Sequence, residues 1–236
     1  MHEERPSRLD GAVLWRNTTE SSSTSRILPD GCMDLIWDGA SLTVVGPDRQ
    51  ARMVHDRHGT VRHAIRFFPG QGPSVVGEPA ANLVDRQVDV ADLWGAARAR
   101  EATERLGAAA EPRDELERLA ITAAGLGDSS PVRDTPLPTA ALASMAAAGL
   151  PVPAIASELG WSDRQLRRRC IEVVGYGPKH LGRILRLQRA LRLARSGQPL
   201  VQVASDCGYA DQGHLSRDVR TLTGVTPTDL LPGPIN

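Results

Sequence analysis

Val152-Pro-Ala-Ile-Ala-Ser-Glu-Leu-Gly-Trp-Ser-Asp-Arg-Gln-Leu-Arg-Arg-Arg-Cys170 and Leu200-Val-Gln-Val-Ala-Ser-Asp-Cys-Gly-Tyr-Ala-Asp-Gln-Gly-His-Leu-Ser-Arg-Asp-Val219 are two renderings of one pattern. Each is a short helix with a small residue at its centre, Ala156 or Ala204. Each then reaches a glycine, Gly160 or Gly208, where a sharp turn with positive φ is cheap. Ser162 or Asp211 follows as an N-cap, and a second helix rich in Arg, Gln and His begins. The pattern is that of a helix-turn-helix. Two copies joined by one arginine-studded helix, Lys179–Ser196, point to a protein that reads DNA.

The second helices divide into an inner and an outer face. In the first, Leu166 and Cys170 are four apart and face inward, leaving Arg164, Gln165, Arg167 and Arg168 outside. In the second, Leu215, Val219 and Leu222 face inward, leaving Gln212, His214, Ser216 and Arg217. Arginine suits guanine O6 and N7 and glutamine suits adenine, each pair worth roughly 1–3 kcal/mol of discrimination. Ser162 and the helix N-termini offer N–H groups to phosphate. The connecting helix carries Arg183, Arg186, Arg189 and Arg192 and is expected to set the spacing of the two motifs. Recognition helices about 34 Å apart enter successive major grooves on one face of DNA, and some of these arginines are expected to touch phosphate.

Charge agrees with this division. The 236-residue chain is neutral, yet residues 150–236 hold 12 basic against 7 acidic side chains, a net +5, and residues 1–149 the opposite, −5. That asymmetry is expected where only one part touches DNA. No apolar run is long enough to span a bilayer, and the first residues have no apolar signal core, so a cytoplasmic protein is expected. Three scattered cysteines do not form a disulfide framework. No cofactor motif stands out, and none is expected.

Residues 8–80 read as short strands punctuated by Gly and Pro, the mark of a small β-barrel or sandwich. Asp89–Leu106 and Glu111–Ala124 read as helices that either cover that barrel or form a dimer face. The stretch 126–138 reads as a linker. The expected architecture is α+β, with a sensor or dimerisation domain over 1–125 and an all-α DNA-binding domain over 139–231.

The C-terminal part resembles the AraC/XylS-type DNA-binding domain. The matching residues are Ala156–Leu166, Gly175-Tyr-Gly-Pro178, Arg186-Leu-Gln-Arg-Ala190 and Ala204–Pro227, above all Gly208-Tyr209, Asp211-Gln212, His214-Leu215, Ser216-Arg217 and Gly224-Val-Thr-Pro227. Cys170 and Val219 stand where that family often has phenylalanine, an apolar exchange that bears on packing. Leu28-Pro-Asp-Gly-Cys-Met-Asp-Leu-Ile-Trp37, Val45-Gly-Pro-Asp48, Arg66-Phe-Phe-Pro-Gly70 and Asp92-Leu-Trp-Gly95 resemble the sensor domain of one AraC subgroup. The resemblance implies a transcription regulator rather than an enzyme. It binds double-stranded DNA, contacts RNA polymerase if it activates, and senses through its N-terminal part, alone or as a homodimer.

Three further readings of the N-terminal part stand beside one another. Trp15, Trp37 and Phe67, with Arg66 as polar anchor and Cys32 nearby, would line an apolar pocket for a small effector, or they are simply core. His55, His58 and His63 would bind a metal, although His-x2-His-x4-His is no standard signature. Cys32 would be a reactive thiol if a cation such as Arg66 lowered its pKa, making the chain an alkylation-repair or redox-sensing protein.

Overall fold

The computed structural model describes residues 1–126 and 137–231; the expected linker, 126–138, falls almost wholly outside them. The N-terminal part is mainly antiparallel β. Strands β1 (His2–Pro6), β2 (Val13–Thr18), β4 (Met33–Trp37), β5 (Leu42–Val45), β7 (Val61–Phe67) and β8 (Gln87–Asp89) form one sheet in the order β1-β2-β7-β4-β5-β8. Strands β3 (Ser23–Ile27) and β6 (Arg52–Asp56) pair with each other in a separate two-stranded ribbon. The Asp38-Gly39 turn joins β4 to β5, with the Asp38 carboxylate accepting from the Ala40 and Ser41 amides at 3.0 and 2.8 Å. The strands therefore make two sheets facing one another rather than one closed barrel.

Register decides what each face carries. Trp15 lies opposite Ala64, and Asp34 opposite Arg66. Because strand side chains alternate, Leu14, Met33, Leu35, Trp37, Ile65 and Phe67 share the other face, where they are buried together. Short helix α1 (Gly72–Val76), a 3-10 turn at Ala80–Asn82, α2 (Val90–Trp94), α3 (Ala96–Ala108) and α4 (Pro112–Leu126) close over that face. Leu106, Leu116 and Ala120 are fully buried in this core, so the helices cover the sheet. The apolar spacing of 89–106 suggests one helix, but Gly95 breaks it into α2 and α3.

The C-terminal part is all α: α5 (Thr139–Ala147), α6 (Val152–Glu158), α7 (Asp163–Val174), α8 (Pro178–Arg195), α9 (Leu200–Asp206), α10 (Gln212–Thr223) and α11 (Pro227–Leu230). α8 is the axle, with Leu181, Ile184, Leu187, Ala190 and Leu191 buried among α5, α7, α9 and α10. Its core is separate from the N-terminal one. The two parts nevertheless touch along a seam that, among the described residues, includes the hydrogen bonds Arg26 Nη1 to Thr223 O (2.8 Å), Ala51 N to Leu222 O (2.7 Å), Gln188 Nε2 to Pro29 O (2.7 Å) and His180 Nε2 with Arg49 O (3.2 Å).

Candidate DNA interface and ligand cavity

The two turn-helix units are built alike. Gly160 and Gly208 have φ of +68° and +72°. The next residue's amide donates back to the mid-helix alanine carbonyl, Trp161 N to Ala156 O at 2.8 Å and Tyr209 N to Ala204 O at 2.9 Å. The alanines are buried, so a larger residue there would open the turn. In the first unit Ser162 caps α7 through a reciprocal capping box. Its Oγ accepts from Gln165 N at 3.3 Å, and Gln165 Oε1 accepts from Ser162 N at 2.9 Å. Both side chains are therefore engaged at the cap. In the second unit Asp211 accepts from His214 N at 2.5 Å. The His214 ring turns back onto the turn, accepting from Ala210 N at 3.3 Å and lying edge-on to Tyr209.

Leu166, Cys170, Leu215, Val219 and Leu222 are all buried. Arg164, Arg167 and Arg168 on α7, and Gln212 and Arg217 on α10, are exposed, while Ser216 and His214 are half-buried. Cys170 packs as an inert apolar side chain, its thiol pushed up to about 12 by burial.

The connecting helix departs from expectation. Arg183 grips the buried Asp218 carboxylate of α10 with Nη2 and Nε at 2.6 and 2.8 Å. Arg186 approaches it at 3.8 Å while stacking over the Tyr209 ring at 4.6 Å. The Tyr209 hydroxyl donates to Asp218 at 3.4 Å. These two arginines brace the second recognition helix against α8, so they are not free for phosphate. Arg189 and Arg192 remain exposed. Asp218 escapes sequence reading because its partners lie 35 and 32 residues away.

The N-terminal part contains a cavity of about 290 Å³ between the large sheet and the β3–β6 ribbon. It is polar. Trp15, Asn17, Asp34, Asp38, Arg62 and Arg66 of the large sheet and its turn face Ser25, Arg52, Val54 and Asp56 of the ribbon. Asp34 accepts from Trp15 Nε1 at 2.7 Å and from Arg66 Nε at 3.1 Å. Burial still raises its carboxyl pKa, against the pull of Arg66. Burial works against the Arg66 charge, but Asp34 and Asp30 outweigh it and raise its pKa. Arg62 is paired with Asp56 across the gap.

Of the five side chains expected around an effector, Trp15 and Arg66 line this cavity. Trp37 and Phe67 lie on the opposite face of the sheet, in the core, so the apolar aromatic pocket is replaced by a charged one. Cys32 sits just before β4, half-buried. Desolvation first, then Asp30 and Asp34, hold its thiol well above the ordinary value despite Arg66. That is the reverse of an activated thiol. The histidines also disperse: His55 bonds Thr24, His58 the Glu20 carbonyl, and His63 lies beside Trp37. Among the described residues no group of three or more side chains is placed to hold a metal, and no helix is long and apolar enough to cross a membrane.

Residues 155–232 match a family model described as a helix-turn-helix domain. The C-terminal part of the chain is therefore a helix-turn-helix domain. Residues 12–89 match a domain of unknown function, DUF6597. No curated protein matches it. Similar solved structures include ToxT of Vibrio cholerae. An apo variant from strain SCE256 is 11% identical, with 96% of this chain and 98% of that one covered and a TM-score of 0.48. ToxT from strain O395 is 12% identical, with 94% and 98% covered and a TM-score of 0.47. A third, wild-type ToxT from strain SCE256 bound to an unsaturated fatty acid, is 11% identical, with 98% and 97% covered and a TM-score of 0.47.

Proposed function

We propose that the chain is an AraC-type transcription regulator that reads two short sequence elements with α7 and α10 and is modulated by a small polar molecule held between its N-terminal sheets. Arg164, Arg167 and Arg168 are the base or phosphate contacts of the first unit. Gln212 and Arg217, with Ser216 and His214, are those of the second. The Ser162 cap presents the α7 N-terminus to a phosphate, with Gln165 holding the cap. The observation that carries the DNA reading is the repetition of one turn geometry on one rigid axle, with arginines exposed on both second helices. The division into a sensor domain over 1–125 and a DNA-binding domain over 139–231 is supported by the two separate cores.

Three aspartates and three arginines line the cavity, so a net-charged guest would leave a charge uncompensated. The fitting ligand is a small neutral or zwitterionic molecule bearing both donors and acceptors. By linkage it shifts the DNA-competent population only as far as it binds one arrangement of the protein better than the other. RNA polymerase enters only if the outcome is activation.

Selection of random duplex DNA on the full-length protein, followed by binding across a salt series, tests the DNA reading. Two enriched elements about one helical turn apart are expected, and their duplication would reveal a homodimer. Binding that fades with salt and enriches nothing would refute it.

A further inference from the structure

We propose that the β3–β6 ribbon is the element through which filling of the polar cavity reaches the second recognition helix. The inference rests on the reading of that cavity as a ligand site, and its test needs no ligand.

The ribbon is bound on both faces by different partners. Ser25 and Ile27 of β3 and Arg52, Val54 and Asp56 of β6 line the cavity. Arg26, between Ser25 and Ile27, points the other way and donates to Thr223 O at 2.8 Å. Ala51, the residue before β6, donates its amide to Leu222 O at 2.7 Å. Leu222 and Thr223 close α10, and the carbonyls of a helix's last turn have no partners within the helix. The ribbon supplies them, and the Arg26 cation sits at the negative end of the helix dipole. A two-stranded ribbon with no sheet neighbour has little stability of its own. Its position is therefore set by what lies on its two sides.

α7 is anchored elsewhere. Its C-cap, Gly175, packs against Val84, Pro47 and the Ala80 carbonyl, next to the large sheet. The two recognition helices thus have their C-terminal ends fixed to different pieces of the N-terminal part. Because Asp218 holds the body of α10 on α8, moving the ribbon alone loosens the last turn of α10 while the end of α7 stays held, and so changes the fit of the pair to two grooves at once. The Arg62–Asp56 pair is the strut that spans the cavity from β7 to β6, and it is the contact a polar guest would displace.

The test is a mutant cycle in the full-length chain. Asn17→Trp fills the cavity from β2, a strand of the large sheet, and Thr43→Phe fills it from β5 should the first fail to fold. Arg26→Ala cuts the link to α10. The primary readout is hydrogen exchange of the amides of residues 219–225, with residues 170–175 of α7 as the reference. Affinity for a duplex selected from random sequence is read alongside. Filling is expected to speed exchange at the end of α10 by at least about tenfold, the scale of a lost bond to a charged donor. Exchange at the end of α7 stays as it was. Arg26→Ala speeds it similarly, and the double variant resembles either single one. Unchanged exchange on filling, or effects of the two substitutions that simply multiply, would overturn the proposal. If the cycle is non-additive but no neutral polar compound alters the melting of the wild-type chain, the ligand reading falls and the ribbon coupling stands.

Discussion

Removing the Asp218 carboxylate should unfasten the second recognition helix. Asp218 keeps 6% of its surface and is held by Arg183, Arg186 and Tyr209. Breaking a buried pair by deleting one partner costs about 3–5 kcal/mol, because the remaining charge is stranded. Here the arginines retain 31% and 24% of their side-chain surface and can turn partly to water. The expected loss for Asp218→Ala is accordingly about 2–3 kcal/mol. For a chain of this size that lowers Tm by about 5–10 °C. Urea unfolding followed by circular dichroism should show a lower midpoint at unchanged slope. Arg183→Ala should cost less alone and little more on top of Asp218→Ala, since the two act through one contact. Affinity for a selected duplex should fall in Asp218→Ala even where the protein is fully folded, because α10 loses its fixed angle to α8. A loss under about 1 kcal/mol, the range of a surface pair, or additive losses in the double variant, would refute the brace.

Arg164→Ala and Arg217→Ala should each weaken specific binding by about 1–3 kcal/mol while leaving non-specific binding nearly intact; titration of matched and scrambled duplexes distinguishes base reading from phosphate contact. Gly175→Ala should destabilise the seam, since the residue has φ +93° and an added Cβ would lie 2.6 Å from Val84 Cγ2 and 2.9 Å from Pro47 Cγ; faster limited proteolysis and a lower Tm are the readouts. His63 and His180 are held below their ordinary value of 6.5 by burial first, aided by the charges of Arg16 and Arg113 at His63; at His180 the hydrogen bond to the Arg49 carbonyl opposes burial without overcoming it. The unfolded chain then binds more protons than the folded one as pH falls through that value. Stability should drop from pH 7.5 to 5.5, and His63→Gln or His180→Gln should flatten that slope in urea midpoints. Cys32 and Cys170 should react slowly with iodoacetamide at pH 7.5 in the native chain and fast in urea, by mass spectrometry; prompt native labelling of Cys32 would revive the thiol chemistry.

The C-terminal part was legible because its signals are local. A glycine at the turn, a cap two or three residues on and inward residues four apart all lie within twenty residues. The N-terminal site was less legible because it depends on register. Trp15, Trp37, Arg66 and Phe67 sit on three strands, and only the pairing of Trp15 with Ala64 and Asp34 with Arg66 shows which residues share a face. A single sequence gives alternation along a strand but not the offset between strands. The same reason hid the role of Arg183 and Arg186. Their three-residue spacing looks like a solvated stripe until α10 brings Asp218 beneath it. Gly95 misled in the opposite sense, since the apolar spacing runs through it unbroken.

Among the described residues, the four hydrogen bonds across the seam each use a main-chain carbonyl as acceptor: Thr223, Leu222, Pro29 or Arg49. Carbonyls do not change when residues are exchanged. One side of every such contact is therefore immune to substitution, and paired changes across the seam are not required to preserve it. Related chains could drift far in sequence there and still dock in the same way, leaving little covariation to betray the contact. Chimeras that join one regulator's sensing half to another's DNA-reading half would succeed or fail on backbone path and on a few donors, Arg26, Gln188 and His180, rather than on overall similarity.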